Sequence, residues 1–418
     1  MTTIIKGNII HAPELGRLDI LPGGHLVLED GVIQAISQAL PKEYAGLPVT
    51  DYGDKLILQS FADCHLHGSQ YPFLGTGMDV TLLDWLQKYA FPVEKRFADV
   101  NYARMVYRQL AEELIANGTT RVIMFSSLHA DGTLVLMEEL ERAGISGYVG
   151  KVNMDRNGSD ELHETTEESI SETLRWLDHC GQFRSVKPIL TPRFTPSCTN
   201  ELMAWLGKTS RERDLYVHSH LSENDREIAW VHQLHPDCER YWETYAKFGL
   251  WKDHTVMAHC VYSDETERKA MREHNVMAVH CPDSNVNVRS GIAPVRRMLE
   301  EGNWVSLGSD IAGGAHLSML EVMTCAIRSS KLKSTEDGTQ PLNAAEAYYL
   351  GTTAGHRYFG AGKGFAIGDR LHAVVVDDSR LCSVGEMSLS DRLERALYRV
   401  SRQEIKAVYA EGKLVKCS

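Results

Sequence analysis

The sequence predicts an α/β protein: a (β/α)8 barrel of the TIM type with a small β-domain built from both termini. Three observations predict it. Between about residues 56 and 310, eight short apolar runs alternate with longer amphipathic stretches, the rhythm of a barrel rather than of an open sheet. Five side chains able to bind a metal, His65, His67, His220, His259 and Asp310, stand at the C-terminal ends of such runs. A barrel gathers those ends from distant parts of the chain onto one face. The two ends of the chain follow another style, with short runs broken by Gly7, Gly23, Gly24 and Gly31 and resuming after Gly364.

The expected barrel strands cover residues 56–64, 120–126, 147–155, 186–194, 215–220, 255–260, 276–281 and 304–310. Between them, Leu82, Leu83, Trp85, Leu86 and Tyr89 recur at helical spacing and predict a helix over 82–89. Similar stretches cover 102–116, 134–143, 168–177 and 264–274, and a further helix starts near Asp225. The polar, turn-rich residues 334–340 read as an exposed loop. Runs over 373–376 and 405–410, closed by Glu411-Gly412, join the N-terminal runs. The expected division is a small β-domain over 1–58 and 367–418 beside a barrel over 59–366.

With 418 residues, 43% hydrophobic and 24% charged, the chain can bury a large core and has the composition of a soluble globular protein. A formal charge of −12 argues against nucleic acid, whose binding rests on Lys and Arg neutralising phosphates. No apolar stretch is long enough to span a bilayer, and the start Met1-Thr2-Thr3-Ile4-Ile5-Lys6-Gly7 has no secretory pattern. A cytoplasmic protein, without a membrane partner, is expected. The nine cysteines include no Cys-x-x-Cys pair, against a disulfide framework or a cysteine-rich zinc site. Cys64, Cys260 and Cys281 adjoin histidines, but neighbours on a strand face opposite ways, so they read as packing residues.

His65 and His67 are two apart on one strand, so both imidazoles can face one ion. With His220 and Asp310 they make three neutral nitrogens and one carboxylate, the ligand set of a catalytic Zn²⁺ site with one open position. His259 reads as a fifth ligand or as a hydrogen-bond partner of a water held there. His218 reads as a structural histidine deeper in the barrel, and His280 as a supporting or packing residue. Glu223, three residues past His220, reads either as a proton carrier above the metal or as a solvated charge at a helix start. Gly360-Ala361-Gly362-Lys363-Gly364 lacks the Ser or Thr of a phosphate loop. The Pro-Cys-x-x-Cys signature of one class of zinc deaminases and a Gly-x-Ser-x-Gly elbow are absent.

The stretch His65-Leu66-His67-Gly68-Ser69-Gln70-Tyr71, with Leu82-Leu83-Asp84-Trp85-Leu86 and Phe91-Pro92-Val93-Glu94-Lys95-Arg96-Phe97, resembles the amidohydrolase superfamily and, within it, the guanine deaminases. Further matches are residues 150–155, Thr191-Pro192-Arg193-Phe194, residues 220–224, His280-Cys281-Pro282 and Ser309-Asp310. The resemblance implies one zinc per chain on His65, His67, His220 and Asp310, with iron or manganese as alternatives. It implies that His259 assists the bound water and that Gln70, Arg193, Phe194, Glu223 and Asp310 hold guanine as the small-molecule substrate. The implied reaction is hydrolysis of guanine to xanthine and ammonia, with Glu223 and Asp310 moving protons; a homodimer is expected. Alternatives are deamination or dechlorination of another purine, pyrimidine or triazine, and an inactive barrel acting as an interaction protein. A two-metal relative would need a lysine ending strand four, where this chain has Arg193-Phe194 and Lys187 lies too early. Two departures stand out: Gln59-Ser60-Phe61-Ala62 replaces a Pro-Gly start, and Arg289 replaces a small residue, placing it where it would reshape the pocket rim.

Overall fold

The barrel closes through two seams between two half-sheets. In the computed structural model, which describes residues 1–159, 162–382 and 385–417, one parallel sheet holds β1 (Phe61–His67), β2 (Thr119–Phe125), β3 (Ser146–Gly150) and β4 (Val186–Pro188). A second holds β5 (His218–Leu221), β6 (Val256–His259), β7 (Met277–His280) and β8 (Trp304–Leu307). A parallel bridge from Leu190 to Val217 joins β4 to β5. The other seam is made by the Asp310 amide on the His65 carbonyl (2.8 Å) and the His67 amide on the Ile311 carbonyl (3.1 Å). Residues 383, 384 and 418, within the expected terminal domain, and residues 160 and 161 lie outside the described residues.

Small and branched side chains fill the barrel, among them Ala62, Cys64, Ile123, Ile189, Ala258 and Val279. The helices pack their apolar stripes outside. Val100–Ala116 starts where the Asp99 carboxylate accepts from the amides of Asn101 and Tyr102. Thr165 with Glu168, and Asn224 with Glu227, form capping boxes for Thr166–His179 and Asp225–Leu234. Such caps satisfy amides that the first turn leaves unpaired, each contributing about 1 kcal/mol. Among the described residues no helix is long and apolar enough to cross a membrane.

Both termini share one seven-stranded sheet, ordered Lys413–Cys417, Ile405–Ala410, Ala373–Val376, Val49–Gln59, Thr2–Glu14, Arg17–Glu29 and Val32–Ser37. The expected single strand over 56–64 is two strands: Val49–Gln59 ends in the terminal sheet and β1 starts at Phe61. The break falls at Ser60, whose amide goes to the His372 carbonyl instead of a barrel neighbour. The strands expected over 147–155 and 186–194 are also divided, into β3 with Val152–Asn153 and β4 with Thr191–Pro192. The helix expected over 82–89 is one turn, Leu82–Trp85, followed by a wider π-turn, Leu86–Ala90. Residues 334–337 belong to the helix Met319–Asp337 rather than to a loop; their polar side chains fit its exposed last turn as well as a loop.

Candidate active site

The C-terminal ends of β1, β5, β6 and β8 bring the five sequence-predicted residues together. Gly308, just past β8, permits this: a Cβ there would lie 2.8 Å from the His65 carbonyl oxygen, so a larger residue would hold the last strand off the first. Asp63 reinforces the seam by accepting from the Ser309 amide (2.9 Å) and the Ser309 hydroxyl. Asp310 follows in the left-handed backbone region, φ 46°, which turns its carboxylate back over the barrel mouth.

The imidazoles present their Nε2 atoms inward. His65 Nε2 is 3.2 Å from an Asp310 oxygen, while His67 Nε2 is 3.4 Å from it and 3.1 Å from His220 Nε2. The outer ring nitrogens are held: His220 Nδ1 donates to the Arg193 carbonyl (2.6 Å), and His65 Nδ1 meets His218 Nε2 at 2.7 Å. His218, read from sequence as a structural histidine, therefore supports a site histidine directly. His259 Nδ1 donates to Asn285 Oδ1 (2.9 Å), leaving Nε2 3.5 Å from Glu223 and 3.9 Å from Asp310.

These residues fit a divalent cation. Ligand atoms of His65, His67 and His220 lie within 4.8 Å of one another, as do those of His65, His259 and Asp310. His65 Nε2 is buried with no hydrogen-bond partner, an orphan that a cation would satisfy. Burial holds His65, His67 and His220 well below the usual histidine range, so each keeps a free lone pair at neutral pH. Burial raises the Asp310 carboxyl to about 6; a cation beside it would pull it back towards the ionised form.

A cavity opens above this cluster. His67, Gln70, Arg193, Phe194, His220, Glu223, His259 and Asp310 all line it. Glu223 is buried, accepts from the Ser290 hydroxyl (3.1 Å), and is pushed up to about 8 by burial and then by the charge of Asp310. The solvated-charge reading of Glu223 does not match this burial. Its backbone amide is held by Glu227 (3.1 Å), which also takes the Tyr241 hydroxyl. Arg289, expected at the rim, is exposed and absent from the lining; its neighbour Val288 takes that place. His280 lines a separate small concavity.

Sequence reasoning missed the residue that organises the polar wall. Glu94, fully buried, takes both arms of Arg193 (2.7 and 3.0 Å) and the Gln70 amide (2.8 Å). The other end of Gln70 accepts from the Ala312 amide (3.1 Å). Amid Lys95 and Arg96, Glu94 looks like one more solvated charge; only its place between Val93 and Phe97 hinted otherwise. The apolar wall of Leu82, Trp85 and Leu86 was read only as a helix stripe. Glu94→Ala leaves a buried guanidinium without its partner and is expected to cost about 3–5 kcal/mol in a denaturant titration. A loss below roughly 1 kcal/mol, the scale of an exposed pair, would show that this contact is not structural.

The sequence matches the Amidohydrolase family over residues 56–415. A guanine deaminase of Dictyostelium discoideum is 36% identical, over 99% of this chain and 98% of its own length. A crystal structure of guanine deaminase from C. acetobutylicum, with guanine bound in its active site, superposes with a TM-score of 0.97 at 42% identity, covering 99% of this chain and 100% of the other. The E. coli guanine deaminase structure superposes with a TM-score of 0.90 at 28% identity, covering 100% and 99%.

Proposed function

The chain belongs to the amidohydrolase family, and from that premise we propose that it is a guanine deaminase: guanine and water give xanthine and ammonia. One observation carries the reading beyond the family: the histidine–aspartate cluster, Glu223 and the Arg193 wall all open into one cavity. Relatives similar over the full length that carry this activity support it.

His65, His67, His220 and Asp310 would hold one zinc ion, which as a Lewis acid brings the pKa of water from about 16 to roughly 7. In the reaction a C2–O bond forms and the C2–N bond to the exocyclic amine breaks. Glu223 takes a proton from the attacking water and delivers it to ring nitrogen 3. His259, fixed by Asn285, keeps Nε2 against Glu223 and Asp310 and steadies the proton in transit. Asp310 takes the proton of the newly formed C2 hydroxyl and passes it to the amine, so that the C2 carbonyl of xanthine forms as ammonia leaves. Arg193 offers its remaining N–H donors to the 6-oxo group, Gln70 stands beside it, and Phe194 offers a flat apolar face to the ring.

Ammonia release from guanine, adenine and cytosine, with chloride release from a chlorotriazine, tests this reading. Guanine should dominate; faster turnover of a pyrimidine or triazine would overturn the substrate assignment. The metal count is tested separately. Elemental analysis should give about one equivalent per chain, as a single open tetrahedral site requires. Activity that needs two equivalents would overturn the mononuclear reading. A cytoplasmic location and a homodimer remain proposals from the sequence, the second tested by sedimentation.

A further inference from the structure

The N-terminal face of the barrel, opposite the candidate active site, carries a second concavity where the starts of β2, β3 and β4 meet the terminal sheet. Five cationic side chains line it, Arg121, Arg184, Lys187, Arg370 and Lys413, against one carboxylate, Glu411. On a chain of charge −12, this concentration runs against the rest of the molecule. Glu411 is already engaged, taking the Ser146 hydroxyl and lying 3.1 Å from His372 Nε2 and 3.6 Å from Arg370 Nε. The side chains of Arg184, Lys187 and Lys413 form no ion pair among the described residues.

Arg121 is the informative member. It is only 7% exposed, yet its Nε is sealed from solvent with no partner, and its guanidinium makes no hydrogen bond or ion pair among the described residues. The Phe359 ring lies 5.3 Å from it, and its charge is felt by the buried His356 and His372. Glu411 and Asp369 act on it only through space. A buried guanidinium ordinarily sits in a fork of acceptors, and one without them is costly. Burial lowers Arg121 to about 10, so it stays cationic at neutral pH.

We propose that this concavity is an anion site that takes a phosphate group, either free or carried on a small organic molecule. A phosphate offers two acceptor oxygens to the part of the Arg121 guanidinium that lines the concavity, in the forked geometry a guanidinium matches best. Its second charge answers Lys187 and Arg184 at the mouth. Tyr148 and Phe359, with ring centroids 5.5 Å apart, also line the concavity and offer apolar surface to an organic portion. Because the site opens on the opposite face from the catalytic cavity, its ligand does not compete with substrate.

Isothermal titration of the full chain with orthophosphate, pyrophosphate and AMP, at matched ionic strength in chloride, tests the proposal. At least one should bind at one per chain. Tighter binding of AMP would identify an organic phosphate as the source; binding of the inorganic ions without gain from AMP would identify free phosphate. Arg184→Gln/Lys187→Gln, both exposed, and Arg121→Gln should each weaken binding by about tenfold or more, the loss of charge-assisted hydrogen bonds, with guanine turnover unchanged. Arg121→Gln should also raise the melting temperature without ligand, since it removes an uncompensated buried charge. If that variant does not fold, the exposed double variant carries the test. No binding of any probe at millimolar concentration, or binding unchanged in the variants, would overturn the proposal.

Discussion

Glu223→Gln is expected to lower turnover by about 10²–10⁴, the range for losing a general acid–base group, while metal content stays the same. The amide preserves the shape and can still meet the Ser290 hydroxyl that Glu223 accepts at 3.1 Å, but it cannot carry a proton. The position is suited to that task. Burial and the charge of Asp310 push the Glu223 carboxyl up to about 8, and a cation in the site would draw it back towards neutrality, where a group both accepts and releases protons readily. Glu223 is not among the proposed ligands, so elemental analysis separates loss of chemistry from loss of metal. Near-normal turnover would remove Glu223 from the mechanism.

Guanine should be favoured over adenine by about 10⁴ or more, the discrimination reached when a site built for one polar pattern is left unpaired by an analogue. Arg193 is held by Glu94 through two of its N–H groups and lines the cavity, where its remaining donors are proposed to meet the substrate. Guanine presents a 6-oxo acceptor to it, whereas adenine presents an amino donor and has no amine at carbon 2 to lose. Arg193→Met alone would strand Glu94, mixing lost recognition with a buried unpaired carboxylate. Arg193→Met/Glu94→Gln removes both charges together and isolates recognition. Its guanine kcat/KM should fall with no gain on adenine. Comparable wild-type rates on the two purines would refute the assignment of this wall.

The sequence made the histidine–aspartate cluster readable because strand geometry is local. Two histidines two apart must share a face, and His220, His259 and Asp310 each close an apolar run. The (β/α)8 order followed from the same alternation. Less readable was anything decided by contacts distant in sequence. The passage from the terminal sheet into β1 reads as one strand-like run from Leu56 to Cys64, in which Gln59 and Ser60 are the only polar residues before Asp63, and the division falls where the Ser60 amide pairs with the His372 carbonyl. Glu94 lies 99 residues from Arg193 and carries no local mark of burial. Arg289 was visible as a substitution but its surroundings were not: it is exposed with φ 62°, while its buried neighbour Val288 lines the cavity.

The seam beside Gly308 gives the cluster a mechanical meaning. Two of the four proposed ligands precede the seam on the first strand, and Asp310 follows it on the last, with about 240 residues of chain between them. An ion seated there would act as a clasp across the line where the cylinder is sealed. Prising the first strand from the last would then strip the ion of ligands, so occupancy and closure would rise and fall together. Reactivity would depend on the chain's two ends being fastened, and a loosened seam would silence the site before the rest of the barrel had begun to unfold.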